Sequence, residues 1–326
     1  MDGASATMLP YLRLNPYLAM QKMLTCPPTH MKKMLTNDNA NAMEVLSFEN
    51  VRTMLGERSR QANKGDNGKG LVIAGSQLMS GAALMCAAAA LRSGIGTIKA
   101  IVPDKARPAF YALPECMCIS FGNDEWSKCD EKLLQKYIDE ATAICVGPGI
   151  GQGEGTAKLV KLVLRAKKPA VVDADGLNAL SGIEDKAEIL HENVILTPHI
   201  GEMARLTGAK TDDIKSKQAE FASEYAGRWG CTVLLKSYRS YVADQKGRLA
   251  LNQNGNSGLA KGGSGDVLSG IALAMLGQRL GPFESACAAA YILGASADEA
   301  FGLLKERMLM ARDVTDAVEQ TVGKLF

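Results

Sequence analysis

Apolar residues follow two different spacings along the chain between residues 70 and 240. Short runs rich in Val and Ile alternate with longer segments in which apolar residues recur every three or four positions. Strands that are buried on both faces have this continuous apolar character. The predicted strands are residues 71–75, 97–102, 143–147, 170–173, 194–197 and 232–237, and the predicted helices are residues 81–92, 131–140, 155–167, 201–206 and 212–228. This alternation predicts right-handed crossovers and a mostly parallel β-sheet.

The segments on either side of this region have other patterns. Residues 45–55 have the spacing of a short amphipathic helix, and residues 241–252 form two alternating runs around Lys246-Gly247, which predicts a hairpin at the edge of the sheet. The remaining predicted helices are residues 266–276, 282–304 and 311–322. We therefore expect one α/β domain over residues 45–326, in which helices cover both faces of a central sheet in three layers.

The first 44 residues differ from the rest of the chain. No Asp or Glu occurs between Gly3 and Asn37. We expect residues 1–44 to form an irregular N-terminal extension or to reflect an upstream start codon, with Met31 or Met43 as alternative starts. A targeting peptide is the other interpretation, although Arg and Ser are sparse in this segment.

Composition and charge argue against several classes of function. Apolar residues make up 47% of the chain, charged residues 22%, and the net charge is +2, so nothing predicts a basic surface for nucleic acid or for an anionic membrane. No uninterrupted apolar run reaches the ~18 residues of a membrane span. Eight scattered cysteines, several in apolar runs, are typical of reduced thiols in the cytoplasm. Their spacing does not predict a metal cluster.

A glycine-rich segment, residues 254–270, carries the clearest chemical signal. After the run from Gly263 to Asp266 the sequence becomes apolar at helical spacing, so a glycine-rich turn opens a helix. The amides of Gly263, Ser264 and Gly265 would form a cradle for an anion such as a transferring phosphoryl group. The positive helix end would favour the ionised form of Asp266, which a base that deprotonates a hydroxyl requires. The alternative is a flexible loop in which Asp266 only caps a helix.

Ligands of open α/β sheets bind beyond the carboxyl ends of the strands, so the loops at those ends are candidate binding segments. Residues 75–82 form a glycine-flanked turn that weakly resembles a phosphate loop but lacks Gly-Lys-Ser/Thr, and the dinucleotide fingerprint is not met after this first strand. Residues 147–153 contain alternate glycines that would let a ligand approach the backbone. A tight turn is the alternative for the first of them. Asp173 and Asp175, at the end of another strand, could hold a hydrated magnesium ion or a substrate hydroxyl. The alternative for Asp175 is a cap on the next helix.

Two further strand ends carry charged residues. His199 and Glu202 share a face of the following helix turn and could bind a sugar, a phosphate or a metal-bound water, or form a purely structural pair. Lys236 ends a buried strand and is followed by hydroxyl groups and Arg239, which suits a nucleotide phosphate or ribose; a surface turn is the alternative. Together these strand ends predict phosphoryl transfer from a nucleotide to a hydroxyl-bearing substrate.

The ordered set of motifs resembles that of the NAD(P)H-hydrate dehydratases, which belong to the ribokinase-like superfamily. The matching stretches are Lys64-Gly-Asp-Asn-Gly68, Ile73-Ala-Gly-Ser76, Met79-Ser-Gly-Ala82, Val146-Gly-Pro-Gly-Ile-Gly151, Val172-Asp-Ala-Asp-Gly-Leu177, Leu196-Thr-Pro-His199, Gly201-Glu202, Leu235-Lys-Ser237, Gly255-Asn-Ser-Gly258 and Lys261-Gly-Gly-Ser-Gly-Asp266. The resemblance implies a ribokinase-like fold. It also implies the removal of water that has added across the nicotinamide 5,6 bond of NADH or NADPH, by phosphorylation of the C6 hydroxyl and loss of phosphate.

The resemblance implies a role for each matching residue. Asp266 would be the catalytic base, and Gly263, Ser264 and Gly265 would hold the transferred phosphoryl group. The residues implied to contact the hydrated dinucleotide are Ala82, Gly149, His199, Glu202, Arg205 and Asp266. Those implied to contact the AMP portion of the phosphoryl donor are Lys236, Ser237, Tyr238, Arg239, Ser240, Asn256 and Gly265. Asp173 and Glu202 are the predicted magnesium residues, acting through water.

Some positions depart from the family pattern. Ser237 replaces the usual glycine, the run from Tyr238 to Ser240 replaces a common Ala-x-Thr, and Asn63 stands where a histidine is frequent. We therefore expect the donor contacts to differ in detail. The expected donor is ADP, with ATP as the alternative, and the expected assembly is a homo-oligomer, taken as a tetramer. The first 44 residues are too short for the epimerase domain that some relatives carry, so we expect functional pairing with an NAD(P)HX epimerase.

Two other functions are compatible with parts of the sequence. The first is a kinase of the same superfamily for a vitamin precursor such as hydroxymethylpyrimidine or hydroxyethylthiazole. The glycine loop after Val146 and the pair of His199 and Glu202 favour a larger, dinucleotide-sized acceptor. The second rival is a nucleotide sensor without catalysis, and the intact Asp266 with its glycine cradle argues against it.

Overall fold

The computed structural model describes residues 43–302, 305 and 307–325. The strands are β1 Glu44–Val45, β2 Lys69–Ile73, β3 Thr97–Val102, β4 Cys116–Ser120, β5 Ala143–Val146, β6 Ala170–Val172, β7 Val194–Leu196, β8 Thr232–Leu235, β9 Ser240–Ala243 and β10 Leu249–Asn252. The helices are α1 Phe48–Leu55, α2 Ser80–Arg92, α3 Glu131–Glu140, α4 Glu154–Arg165, α5 Asp175–Ser181, α6 Lys186–Ile189, α7 Ile200–Thr207, α8 Thr211–Ser216, α9 Gln218–Trp229, α10 Ser264–Gly277, α11 Pro282–Phe301 and α12 Ala311–Leu325. Three short 3-10 helices span Asp104–Ala112, Trp126–Lys128 and Ser257–Leu259. The expected N-terminal extension, residues 1–44, lies outside the described residues except for its last two.

These strands form one sheet in the order β1-β10-β9-β8-β7-β6-β5-β2-β3-β4. Neighbouring strands run parallel, except that β9 is antiparallel to both β8 and β10. The chain leaves β2 towards β3 and β4, and then returns to place β5 on the other side of β2. A reversal of this kind opens a crevice at the carboxyl ends of the strands, where α/β proteins bind ligands.

Helices cover both faces of the sheet, as the sequence predicts. On one side α10 packs against β2, β5 and β6, with α2, α11 and α12 around it; α3 packs against β2 and α4 against β5 and β6 in the other layer. Residues 267–277 of α10 are all buried, which explains why this helix is apolar on every side. A Cβ atom on Gly270 would lie 2.2 Å from the carbonyl oxygen of Cys86, so small residues let α2 and α10 approach closely.

The structure corrects several boundaries. The edge strand β4 was not predicted, nor were the short helices α5 and α6, and the helix expected over residues 212–228 is two helices that meet at Lys217. The hairpin of β9 and β10 is confirmed, but the two-residue strand β1 pairs with β10, so the hairpin is not the edge of the sheet. None of the described helices is long and apolar enough to cross a membrane.

Candidate active site

The first turn of α10 has the geometry of an anion-binding cradle. Gly263 precedes the helix with φ of 96° and provides no side-chain cap. A Cβ at this position would lie 2.8 Å from both the Cβ of Ala311 and the Sδ of Met85, so only glycine fits. The first amides of the helix therefore have no side-chain acceptor and remain available to an anion. The hydroxyl of Ser264 is buried and also has no hydrogen-bond partner among the described residues.

Asp266 lies in this first turn, half-buried, with no hydrogen bond from any described residue to its carboxylate. The pKa of Asp266 is raised to about 7, chiefly by burial and then by repulsion from Asp173 and Asp175, while attraction to Lys236 opposes the increase. The expectation that Asp266 would be held in its ionised form was therefore wrong, because burial and the neighbouring carboxylates raise its pKa. A carboxyl group with a pKa near 7 is well matched to proton transfer at neutral pH.

Lys236 connects the end of β8 to the cradle. Its backbone pairs with His199 across neighbouring strand ends, and its Nζ donates to Asp173 Oδ1 at 2.7 Å. The same Nζ lies 3.9 Å from Glu202 Oε2 and 3.5 Å from the position that a Cβ on Gly265 would occupy. A largely buried ammonium group thus lies directly against the first turn of α10. The neighbouring carboxylates of Asp173 and Glu202 raise the pKa of Lys236 against the effect of burial, so the lysine stays charged.

His199 and Glu202 form a capping box at the start of α7. The Nδ1 of His199 accepts hydrogen bonds from the amides of Gly201 and Glu202, at 2.9 and 3.2 Å, and Glu202 Oε2 accepts from the amide of His199. Burial lowers the pKa of His199, and the positive charges of Lys236 and Arg205 lower it further. The neutral ring therefore carries its proton on Nε2, the atom available to donate to a ligand. The pair has the structural role that the sequence left open, and the Nε2 of His199 lies 3.4 Å from Glu202 Oε1 on the half-exposed side of the ring.

Arg205 is linked to the glycine loop through two polar side chains. Its Nε donates to Asn178 Oδ1 at 2.8 Å, and Asn178 Nδ2 lies 3.3 Å from Asp175 Oδ1. Asp175 Oδ2 in turn accepts from the amide of Gly151 at 2.9 Å. Asp175 is not the helix cap that was the alternative, because Ala174 occupies the N-cap position and no side chain caps the helix. The carboxylate instead holds the loop after β5 against the end of β6.

Ala82 and Gly149 meet at the crevice between β2 and β5. A Cβ on Gly149, whose φ is 62°, would lie 2.9 Å from the Cβ atoms of Ala82 and Met79. The loops after β2 and β5 are also joined by a hydrogen bond from the amide of Gly75 to the carbonyl of Pro148. The residues expected to contact the dinucleotide therefore all lie at the carboxyl ends of the strands.

The residues expected to contact the donor have more varied surroundings. Lys236 to Arg239 form the turn between β8 and β9, and Ser240 begins β9. Tyr238 is 80% exposed, with the guanidinium of Arg239 5.4 Å from its ring centre. The amide nitrogen of Asn256 donates to Asp298 and to the carbonyl of Ala297. Within this set, Gly265 is part of the cradle, and the Nζ of Lys236 lies 3.5 Å from a Cβ position at Gly265.

The described residues do not fit a resident magnesium ion. They include no group of three or more His, Cys, Asp and Glu side chains that could hold a metal. Asp173 Oδ1 accepts a hydrogen bond from Lys236 and Oδ2 accepts one from Ser269, so both oxygens are already engaged within the protein. A water-mediated role for Asp173 and Glu202 stays a prediction.

Two features of the site were not predicted from the sequence. The first is Ser269, which is fully buried and whose hydroxyl donates to Asp173 Oδ2 at 2.8 Å. The second is the backbone of Ala174, with φ of 49° and ψ of −119°, a conformation that costs about 1–3 kcal/mol in a residue with a side chain. Helical spacing from Asp266 places Ser269 one turn along α10, but nothing local indicates its partner.

The fold is that of the ribokinase-like proteins. A ribokinase-like superfamily protein from Enterococcus faecalis superposes with a TM-score of 0.76 over 89% of this chain and 99% of that one, at 24% identity. An ADP/ATP-dependent NAD(P)H-hydrate dehydratase from Bacillus subtilis, co-crystallised with ATP and Mg²⁺, also gives a TM-score of 0.76, over 88% of this chain and 100% of that one, at 31% identity.

Sequence comparison narrows this class to one family. The model of the NAD(P)H-hydrate dehydratase family matches residues 70–320, and the chain belongs to that family. It is 35% identical over 279 residues to the ADP-dependent (S)-NAD(P)H-hydrate dehydratase of Bacillus subtilis, covering 85% of this chain and 97% of that one. It is 37% identical over 284 residues to the bifunctional NAD(P)H-hydrate repair enzyme Nnr of Moorella thermoacetica, covering 84% of this chain and 53% of that one. The chain thus spans about half the length of such bifunctional relatives.

Proposed function

We propose that this protein is a hydro-lyase that dehydrates (S)-NADHX and (S)-NADPHX, the hydrated forms of NADH and NADPH, with a nucleotide as phosphoryl donor. The observation that carries the proposal is Asp266, a half-buried carboxyl group without a hydrogen-bond partner in the described residues, in the first turn of α10. Its pKa of about 7 suits a base for a substrate hydroxyl. Membership of the NAD(P)H-hydrate dehydratase family supports the choice of substrate.

The first chemical step is phosphoryl transfer to the C6 hydroxyl of the hydrated nicotinamide ring. Asp266 accepts the hydroxyl proton while the oxygen attacks the phosphoryl group and the donor's phosphate–oxygen bond breaks. The amides of the Gly263–Gly265 turn, the hydroxyl of Ser264 and the ammonium of Lys236 stabilise negative charge on the transferring group. The neutral His199 can donate from Nε2 to the dinucleotide.

The second step is elimination. The C6–oxygen bond breaks, phosphate leaves with the electron pair, and a proton is lost from C5, which restores the 5,6 double bond. Hydroxide is a poor leaving group and phosphate is a good one, which explains why a nucleotide is consumed. We expect ADP to be converted to AMP and phosphate, because a relative that this chain matches over most of its length is named ADP-dependent. Magnesium would enter with the nucleotide.

The proposal extends to partners and location. Some relatives combine the dehydratase with a second activity in one chain, which supports functional pairing with an NAD(P)HX epimerase. The seven cysteines of the described residues are all free, which supports a cytoplasmic location. A homo-oligomer, taken as a tetramer, is also proposed, and light scattering of the purified protein tests it.

A spectrophotometric assay tests the function directly. Hydrated NADH or NADPH is mixed with the protein and either ADP or ATP, and absorbance at 340 nm is followed. We expect absorbance to increase only when the protein and a donor are both present, and faster with ADP. Phosphorylation of hydroxymethylpyrimidine or hydroxyethylthiazole in a parallel reaction, without an increase at 340 nm from the hydrated dinucleotide, would favour the rival kinase. Nucleotide binding without either product would favour the sensor.

A further inference from the structure

A buried polar network lies beneath the phosphoryl cradle. Asp173, at the end of β6, is 1% exposed, and each of its two oxygens accepts one hydrogen bond from a different element. Oδ1 accepts from Lys236 at the end of β8, and Oδ2 accepts from Ser269 on α10. The strained backbone of Ala174 follows directly. Because both oxygens are engaged and water is excluded, the orientation of this carboxylate is fixed.

The Lys236 ammonium is the functional end of this network. It lies against Gly265, with 3.5 Å between its Nζ and the position of a Cβ at that residue. An ammonium group has three donors, and among the described residues the only side-chain hydrogen bond of this one goes to Asp173. The remaining donors are available to a group held by the first turn of α10. Asp173 therefore determines where the positive charge meets the cradle.

We propose that Ser269 is a positioning residue, which holds Asp173 so that the Lys236 ammonium stays directed at the transferring phosphoryl group. Without the serine hydroxyl, Asp173 Oδ2 would be buried and unpaired. The carboxylate would then be free to rotate and to take both of its hydrogen bonds from Lys236. Because Asp173 Oδ2 lies 3.6 Å from the Cβ position of Gly265, that rotation would shift the ammonium from its place beside the cradle and weaken charge stabilisation in the transition state. The proposal rests on the proposed function, since it assigns the network a part in that phosphoryl transfer.

The test compares two fully buried serines that each lose one hydrogen bond. Ser269→Ala removes the contact to Asp173, and Ser296→Ala removes a hydroxyl contact of 3.0 Å to Thr321, between α11 and α12. We expect Ser269→Ala to lower kcat by about tenfold to a hundredfold, with the KM for the donor within about threefold of the parent. The Ser296→Ala control should show a comparable loss of thermal stability with unchanged kcat. Ser269→Thr, which keeps a hydroxyl, should retain most of the parent's kcat.

A binding measurement separates this proposal from the identity of the substrate. The affinity of AMP and of ADP is measured by calorimetry with and without aluminium fluoride, which mimics a transferring phosphoryl group. We expect Ser269→Ala to lose the gain in affinity that aluminium fluoride gives the parent, while the affinity for the nucleotide alone is unchanged. This result would support the positioning role even if hydrated NADH proved not to be the substrate. An unchanged gain, or a kcat for Ser269→Ala within about twofold of the parent's, would overturn it.

Discussion

The function proposed for Asp266 and the surroundings of its carboxyl group have opposite effects on its protonation. The carboxyl group must lose a proton to act as a base, yet burial and the nearby carboxylates of Asp173 and Asp175 favour the protonated form and raise its pKa to about 7. A native pKa above the unfolded value means that the folded state binds the proton more tightly. The contribution to stability is therefore complete below the unfolded pKa, near 4, and is lost as the pH rises through about 7. Above this pH, the buried and ionised carboxylate of Asp266 lowers the free energy of unfolding relative to the protonated form.

The substitution Asp266→Asn should remove this pH dependence. We expect the variant to gain stability over the parent as the pH rises from 4 to 7, on the order of 3 kcal/mol across that window, because the amide never ionises. The difference should change little above pH 8. Urea unfolding of both proteins across this range measures it. A constant difference in the free energy of unfolding would contradict the assigned environment of Asp266.

At the scale of elements, the helices and turns whose signal lies in neighbouring residues were the ones that the sequence predicted. The glycine turn at Gly263 and the helix α10 were predicted because glycines and apolar periodicity adjoin there. The strand β4 was not, because its sequence Cys-Met-Cys-Ile-Ser has a single β-branched apolar residue and only Cys116 is buried. Ser269 was missed because its partner Asp173 is 96 residues away in sequence. The raised pKa of Asp266 depends on residues from several elements, so the residues around Asp266 in the sequence could not predict it either.

The helix α7 offers a test of the two roles of His199. Asn caps a helix about as well as any residue, whereas Ala loses about 1 kcal/mol at such a position. We therefore expect His199→Ala to lower both stability and kcat/KM for the hydrated dinucleotide, and His199→Asn to lower kcat/KM alone. Thermal unfolding and the assay at 340 nm measure the two effects. Full activity in His199→Asn would restrict the histidine to capping.

At the scale of the whole molecule, the parallel sheet separates chemistry from scaffold. The candidate catalytic residues lie at the carboxyl ends of the strands, where the reversal between β2 and β5 opens a crevice. The opposite ends of β5, β6 and β7 adjoin a cavity of about 490 Å³, which is lined partly by Lys168, Pro169 and Asn193. Substitutions at the carboxyl ends of the strands should therefore affect catalysis, and substitutions at the amino ends should affect stability alone.

Lys168, at the amino end of β6, is a suitable site for a substitution that should affect stability and leave catalysis unchanged. Its ammonium donates to the carbonyls of Asp139 and Ala141 at the end of α3, at 2.5 and 2.7 Å. We expect Lys168→Ala to lower the free energy of unfolding by about 1 kcal/mol with kcat and KM unchanged. Thermal unfolding and steady-state kinetics on the same preparation measure both. A large loss of kcat would show that the amino ends of the strands influence the active site at their carboxyl ends.

The most direct test of the account is the turnover of Asp266→Asn with hydrated NADH and ADP. Asn keeps the size of the side chain but cannot accept the hydroxyl proton. We expect kcat, followed at 340 nm, to fall by about a hundredfold to ten-thousandfold, while the affinity for ADP, measured by calorimetry, stays within about threefold of the parent's. A variant that turns over at the parent's rate would contradict the assignment of Asp266 as the base.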